Sequence, residues 1–143
     1  MTLLKSSNTH PLVSKMVNYI TKDGKKSIAM KILARSFSYL SNGPDDLLAA
    51  IHTLKPAYEV KSKRVGGSTY IIPAATSVKR SEFLAMHWLI EGSVRRASRT
   101  SFAAALAAEI QDVLGGVTCY SLKSRENLLK QAASNQTFAH IRV

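Results

Sequence analysis

Histidines, cysteines and paired carboxylates are the side chains that most often carry catalysis or bind metals, and this sequence scatters them. His10, His52, His87 and His140 stand far apart, and no two are at metal-ligand spacing. The single cysteine, Cys119, forms no disulfide within the chain and builds no cysteine-based zinc site alone. With no base beside it in sequence, it reads as a buried thiol. Asp45-Asp46 is the one adjacent pair of acids, and the electrostatics of a helix start account for it. "GKKS" at 24–27 resembles the end of a phosphate loop, but that motif needs a glycine five residues upstream, where Tyr19 stands, and a preceding strand. "RVGGS" lacks dinucleotide-loop spacing. The expectation is therefore no enzyme, no cofactor, no metal and no small-molecule substrate.

The cations are more informative. Lys and Arg number 20 against 9 Asp and Glu, a formal charge of +11. Such a surplus repels itself in a compact fold unless a polyanion neutralises it, so nucleic acid is the first partner to consider and an anionic membrane surface the second. No apolar run approaches the roughly 18 to 20 residues needed to cross a bilayer, so membrane insertion is not expected. Twelve of the 20 cations fall into three groups. Lys22, Lys25 and Lys26 surround one turn. Lys55, Lys61, Lys63, Arg64, Lys79 and Arg80 follow with a single acid, Glu59, among them. Arg95, Arg96 and Arg99 close a later segment. A solvated surface charge is the ordinary role of any one lysine; the grouping at the ends of elements is what suits phosphate contact. Tyr70 among the second group offers a ring for stacking on a base.

The elements that must position these residues are mostly helical. The 143 residues suit one domain, and 45% hydrophobic residues supply a core. Val13, Met16, Val17 and Ile20 recur at helical spacing after Pro11. Asp23-Gly24 breaks that pattern. A second helix is expected over 25–40, with Ile28, Ile32, Leu33, Phe37 and Leu40 inward. A third starts at "SNGPDDLL", where Asn42 or Gly43 caps and Pro44 opens the first turn, and it ends near Lys55-Pro56. A fourth begins with Ser81 as cap and carries Phe83, Leu84, His87, Trp88 and Val94 on its core side. A fifth runs from about Ser101 to Leu114-Gly115-Gly116 with Phe102, Leu106, Ile110 and Val113 inward, and a sixth covers 121–138. "EVKSKRVGGSTYIIP" at 59–73 breaks this helical run. Gly66-Gly67 between two β-prone segments signals a two-residue hairpin, pairing Val65 with Ser68, Arg64 with Thr69 and Lys63 with Tyr70. Neither face of that ribbon is dry near its tip, and an isolated two-stranded ribbon is marginal in water. Its base is expected on the helices and its basic tip on a partner. The fold class is mainly α, a single domain of about six helices with a protruding two-stranded β-hairpin arm. Residues 1–11 form a short N-terminal extension, 12–143 the helical domain, and about 58–74 the arm. The first 22 residues contain no acid, as in an organelle presequence, but no arginine either, and little room for a removable leader is expected.

"DGKKSIAMKIL" at 23–33, "KPAYEVKSKRVGGSTYIIP" at 55–73, "VKRSEFLAMHWLIEGSVRR" at 78–96 and "KSRENLLKQAASNQTFAHIRV" at 123–143 together resemble the small-subunit ribosomal protein seven family of bacteria and organelles. The resemblance is collinear from about Leu12 to the end, and "EVKSKRVGGSTY" is its most specific block. It implies a structural constituent of the small ribosomal subunit that binds the 3′ major domain of the small-subunit ribosomal RNA and nucleates assembly of the subunit head. It implies neighbouring head proteins as partners, with the exit-site tRNA and the outgoing messenger close by. Matched position by position, the implied rRNA-facing residues are Lys25, Lys26, Lys61, Lys63, Arg64, Gly66, Gly67, Tyr70, Lys79, Arg80, Arg95 and Arg96. Family members usually begin with a longer basic arm and end on an aromatic residue, where this tail reads "HIRV". These departures favour an organellar ribosome, mitochondrial before plastid, with a bacterial ribosome as the other setting. A free nucleic-acid-binding regulator is the competing reading of the same charge.

Overall fold

The computed structural model describes residues 10–140. Six α-helices and one hairpin occur in the expected order: α1 Pro11–Ile20, α2 Lys26–Ser38, α3 Pro44–Leu54, β1 Tyr58–Val65, β2 Ser68–Ala75, α4 Val78–Arg96, α5 Phe102–Gly115 and α6 Tyr120–Ser134. A 3₁₀ turn, Gln136–Phe138, follows. Most of the extension expected at 1–11 and the end of the tail at 141–143 lie outside the described residues.

Local chemistry fixes the boundaries. Pro11 and Pro44 occupy the first turns of α1 and α3, where a missing N–H costs nothing. Asn42 donates to the Asp46 carboxylate from both its backbone N–H and its side-chain amide, which closes the start of α3. α5 opens on Ser101, whose hydroxyl accepts from the Ala104 N–H, and stops at Gly116 in the left-handed region (φ 70°). The core gathers Val13, Met16 and Val17 of α1, Leu33 and Phe37 of α2, Leu47, Ile51 and Leu54 of α3, Met86 and Leu89 of α4, and Leu106, Ile110 and Val113 of α5.

Four expectations need correction. Ile28 does not face inward: it is 50% exposed, and Ala29 takes the buried position beside it. The cap of α4 is not Ser81 but Ser77, which accepts from the Arg80 N–H, while Ser81 is buried and donates back to the Val78 carbonyl. Its core side is also rotated. Ser81, Ala85, Met86, Trp88, Leu89, Gly92 and Ser93 are buried, whereas His87 is exposed, Phe83 and Leu84 are half-buried, and Val94 is 57% exposed. The reason is α5, on which α4 packs most closely among the helices. Gly92 leaves no room for a β-carbon against the Glu109 side chain of α5, and a small-residue face allows a closer approach than a bulky one, which draws the Ala85–Gly92–Ser93 side inward. Lastly, the sixth helix is shorter than 121–138. It ends at Ser134, and Asn135 leads into the 3₁₀ turn.

The hairpin keeps the expected register, extending from Val65↔Ser68 through Lys63↔Tyr70 to Tyr58↔Ala75. Gly66 and Gly67 both have positive φ (57° and 83°), as a primed two-residue turn requires. The base rests on α6, and β2 also meets the 3₁₀ turn. Ile72 is buried there.

Candidate nucleic-acid interface

The arm presents Lys61 and Arg64 to solvent, with Lys63 half-buried between them. These residues alternate because successive side chains of a strand point to opposite faces. Lys61 and Lys63 therefore share a face with Tyr70 and Ile72, and Arg64 stands on the other. Tyr70 does not project freely from the arm. Its ring lies 5.2 Å from that of Phe138, tilted by 45°, so the 3₁₀ turn braces the second strand at its third residue, toward the tip. Gly66 and Gly67 form the exposed tip. A β-carbon at either would meet nothing within 4 Å, but positive φ still disfavours any other residue.

The base of the arm carries a buried acid. Glu59 is almost wholly shielded, accepts from Arg80 Nε at 3.0 Å and lies 3.6 Å from Lys61 Nζ. It thus joins the arm to the first turn of α4, where Lys79 and Arg80 are exposed. An open cleft beside this pair is lined by Glu59, Val60, Arg80, Trp88, Asn127 and Gln131. Its walls come from the arm, α4 and α6.

Arg95 and Arg96, adjacent in sequence, have different surroundings. Arg95 is exposed, with its guanidinium 4.4 Å from the centre of the Tyr120 ring. Arg96 turns toward α5, where its Nε meets Glu109 Oε2 at 2.8 Å and its Nη2 donates to Asp112. Glu109 is fully buried. Its Oε1 accepts from both the backbone N–H and the hydroxyl of Ser121 at the start of α6, at 3.0 and 2.7 Å. Burial lowers the pKa of the Arg96 guanidinium, but the Asp112 hydrogen bond and the two carboxylate charges outweigh it and leave that pKa above its ordinary value. Arg96 is thus a tie between α4, α5 and, through Glu109, α6. Glu109 and Asp112 escaped the sequence reading, although their spacing of three places both on one face of a helix.

Of the sequence-derived candidates, the fold brings together Lys61, Lys79 and Arg80 at the arm's base. Arg95 and Arg96 stand at the far end of α4, about 24 Å along its axis from Arg80 at 1.5 Å per residue. Lys25 and Lys26 are exposed at the start of α2, on a separate element. Cys119 is buried, and burial pushes its thiol pKa above the usual value.

The family model for ribosomal protein S7p/S5e matches residues 2–136. The chain belongs to this ribosomal protein family. Among its relatives, the small ribosomal subunit protein uS7 of Shewanella amazonensis is 39% identical over 136 residues, spanning 92% of this chain and 86% of the relative. The proteins of the same name from Metamycoplasma arthritidis and Vibrio vulnificus are 39% and 40% identical over 139 and 136 residues, with the same coverage. The helical body and single hairpin fit S7p/S5e membership, and both glycines of the arm's tip lie inside the matched span. So does α4 in full, including the two ends where the cations collect.

Proposed function

We infer that the chain is a structural constituent of the small ribosomal subunit that binds small-subunit ribosomal RNA. Family membership across residues 2–136 is the observation that carries this reading. The charge of +11 and the basic arm are what an rRNA ligand requires. The finer assignments rest on the family resemblance. The RNA target is the 3′ major domain, the assembly step is nucleation of the head, and neighbouring head proteins, the exit-site tRNA and the messenger exit path lie nearby. The rRNA-facing set is Lys25, Lys26, Lys61, Lys63, Arg64, Gly66, Gly67, Tyr70, Lys79, Arg80 and Arg95. Arg96 contributes by tying α4 to Glu109 and Asp112 of α5. The role is architectural rather than catalytic. The relatives named above are bacterial; fractionation of cells carrying the tagged chain separates a bacterial from an organellar setting.

Sedimentation in high-magnesium buffer tests the main reading. The chain is expected to travel with the small subunit, and a chain that stayed at the top of the gradient would be a free regulator instead. Replacing Lys61, Lys63 and Arg64 together by Ala is expected to weaken binding to a 3′-major-domain transcript. It should also flatten the plot of log affinity against log salt by up to about 2 to 3 units, since each phosphate contact contributes about 0.7 to 0.9. An unchanged slope in filter binding would remove the arm from the interface.

A further inference from the structure

The outward rotation of α4 exposes a lane of flat and apolar groups that its sequence pattern would have buried. Along this lane Arg80 Cζ lies 5.1 Å from the centre of the Phe83 ring, and the Phe83 and His87 rings are parallel within 10° at 5.6 Å. Tyr19 of α1 meets Phe83 edge-on at 5.5 Å. His87 Nε2 contacts Glu91 Oε1 at 3.0 Å, and the other oxygen of Glu91 accepts from the Tyr120 hydroxyl at 2.7 Å. Arg95 covers the Tyr120 ring. The lane thus runs unbroken from the arm's base to the distal cations. His87 leaves half of its side chain to solvent and Tyr19 is 41% exposed.

We propose that this lane is a stacking platform for unpaired RNA bases, with His87 and Tyr19 as its open faces. The Phe83–His87 stack leaves His87 half-exposed and Tyr19 stands beside it, so both rings are open to a planar ligand. Arg80 and Arg95 at the two ends supply the charge that draws a phosphate backbone along the lane, and every base offers a π-face to the rings between. Glu91 fixes His87 and Tyr120 from the side, so the ring planes are set before RNA arrives. Charge complementarity selects RNA over an acidic protein segment, because stacked rings flanked by guanidinium groups match a ribonucleotide strand in both shape and sign.

This proposal rests on the rRNA-binding reading but fails separately from it. The test measures binding of the full chain to the 3′-major-domain transcript across a salt series. His87→Ala and Tyr19→Ala should each reduce affinity, within a range of about 5- to 150-fold for one stacked base. The salt slope should stay at the wild-type value, since no phosphate contact is removed. His87→Phe, which restores a ring, should recover most of the loss. Should His87→Ala fail to fold by circular dichroism, His87→Gln takes its place, because it keeps a polar partner for Glu91 without an aromatic face. Unchanged affinity in both variants overturns the platform, as does a loss that His87→Phe does not restore or one accompanied by a shallower slope. A wild-type chain that ignores the transcript would instead sink the rRNA-binding reading itself.

Discussion

Arg96 shows how far a residue's role depends on what it meets. By type and neighbourhood it belongs with Arg95 and Arg99 as a phosphate ligand, yet its guanidinium is held by Glu109 and Asp112. A fully buried carboxylate without its cation is costly, and breaking one such pair destabilises by about 3 to 5 kcal/mol. Arg96→Ala is expected near the lower end of that range, because Ser121 still donates to Glu109, and urea unfolding measures it. The same variant should leave the salt slope of RNA binding unchanged; a slope that fell by nearly one unit would return Arg96 to the phosphate contacts. Gly92 is the companion residue. A β-carbon there would stand 2.6 Å from Glu109 Oε1, so Gly92→Ala must displace the carboxylate or spread α4 from α5. A loss of about 1 to 3 kcal/mol is expected in the same assay. Neither role was legible from composition. Glu109 and Asp112 share a helix face at a spacing the sequence displays, but their partner lies 13 and 16 residues away on another helix, and only packing brings it near.

At the scale of elements, the hairpin was legible almost completely. Its register follows from Gly66-Gly67, because a two-residue turn with positive φ leaves one pairing open to the strands. Its bracing was not legible, since the Tyr70–Phe138 contact joins residues 68 positions apart. Phe138→Ala is expected to speed amide hydrogen exchange along β1 and β2 while leaving the helical core protected. Equal rates in the two proteins would mean that α6 alone carries the arm. α4 shows the reverse case. Its existence was plain, but the side it buries was misread, because a pattern of bulky apolar residues overlooks Ala, Gly and Ser as packing surface. Trp88 is a bulky residue expected inside and found there. Trp88→Ala should cost about 3 to 5 kcal/mol, detectable as a lowered melting temperature.

For the whole molecule, the balance between charge and folding dominates. Cohesion comes from an apolar core shared by five helices, while the surface carries a formal charge of +11 and opposes compaction. A polyanion that binds only the folded chain relieves that repulsion and adds mass-action stability, about 2.7 kcal/mol at a hundredfold excess over Kd. The melting temperature is therefore expected to rise when the 3′-major-domain transcript is added, and to rise less as salt increases. A melting temperature indifferent to the transcript would show that RNA does not select the folded state.

The sequence by itself determined the six helices, the turn and register of the arm, the family and the cationic character, because caps, periodicity, glycine conformations and charge are local or additive properties. Only the tertiary structure decided which arginine faces solvent and which binds Glu109, which side of α4 is buried, and that a lane of rings stays exposed. Those outcomes depend on how closely small residues let α4 and α5 approach and on partners distant in the chain, neither of which is written at any single position.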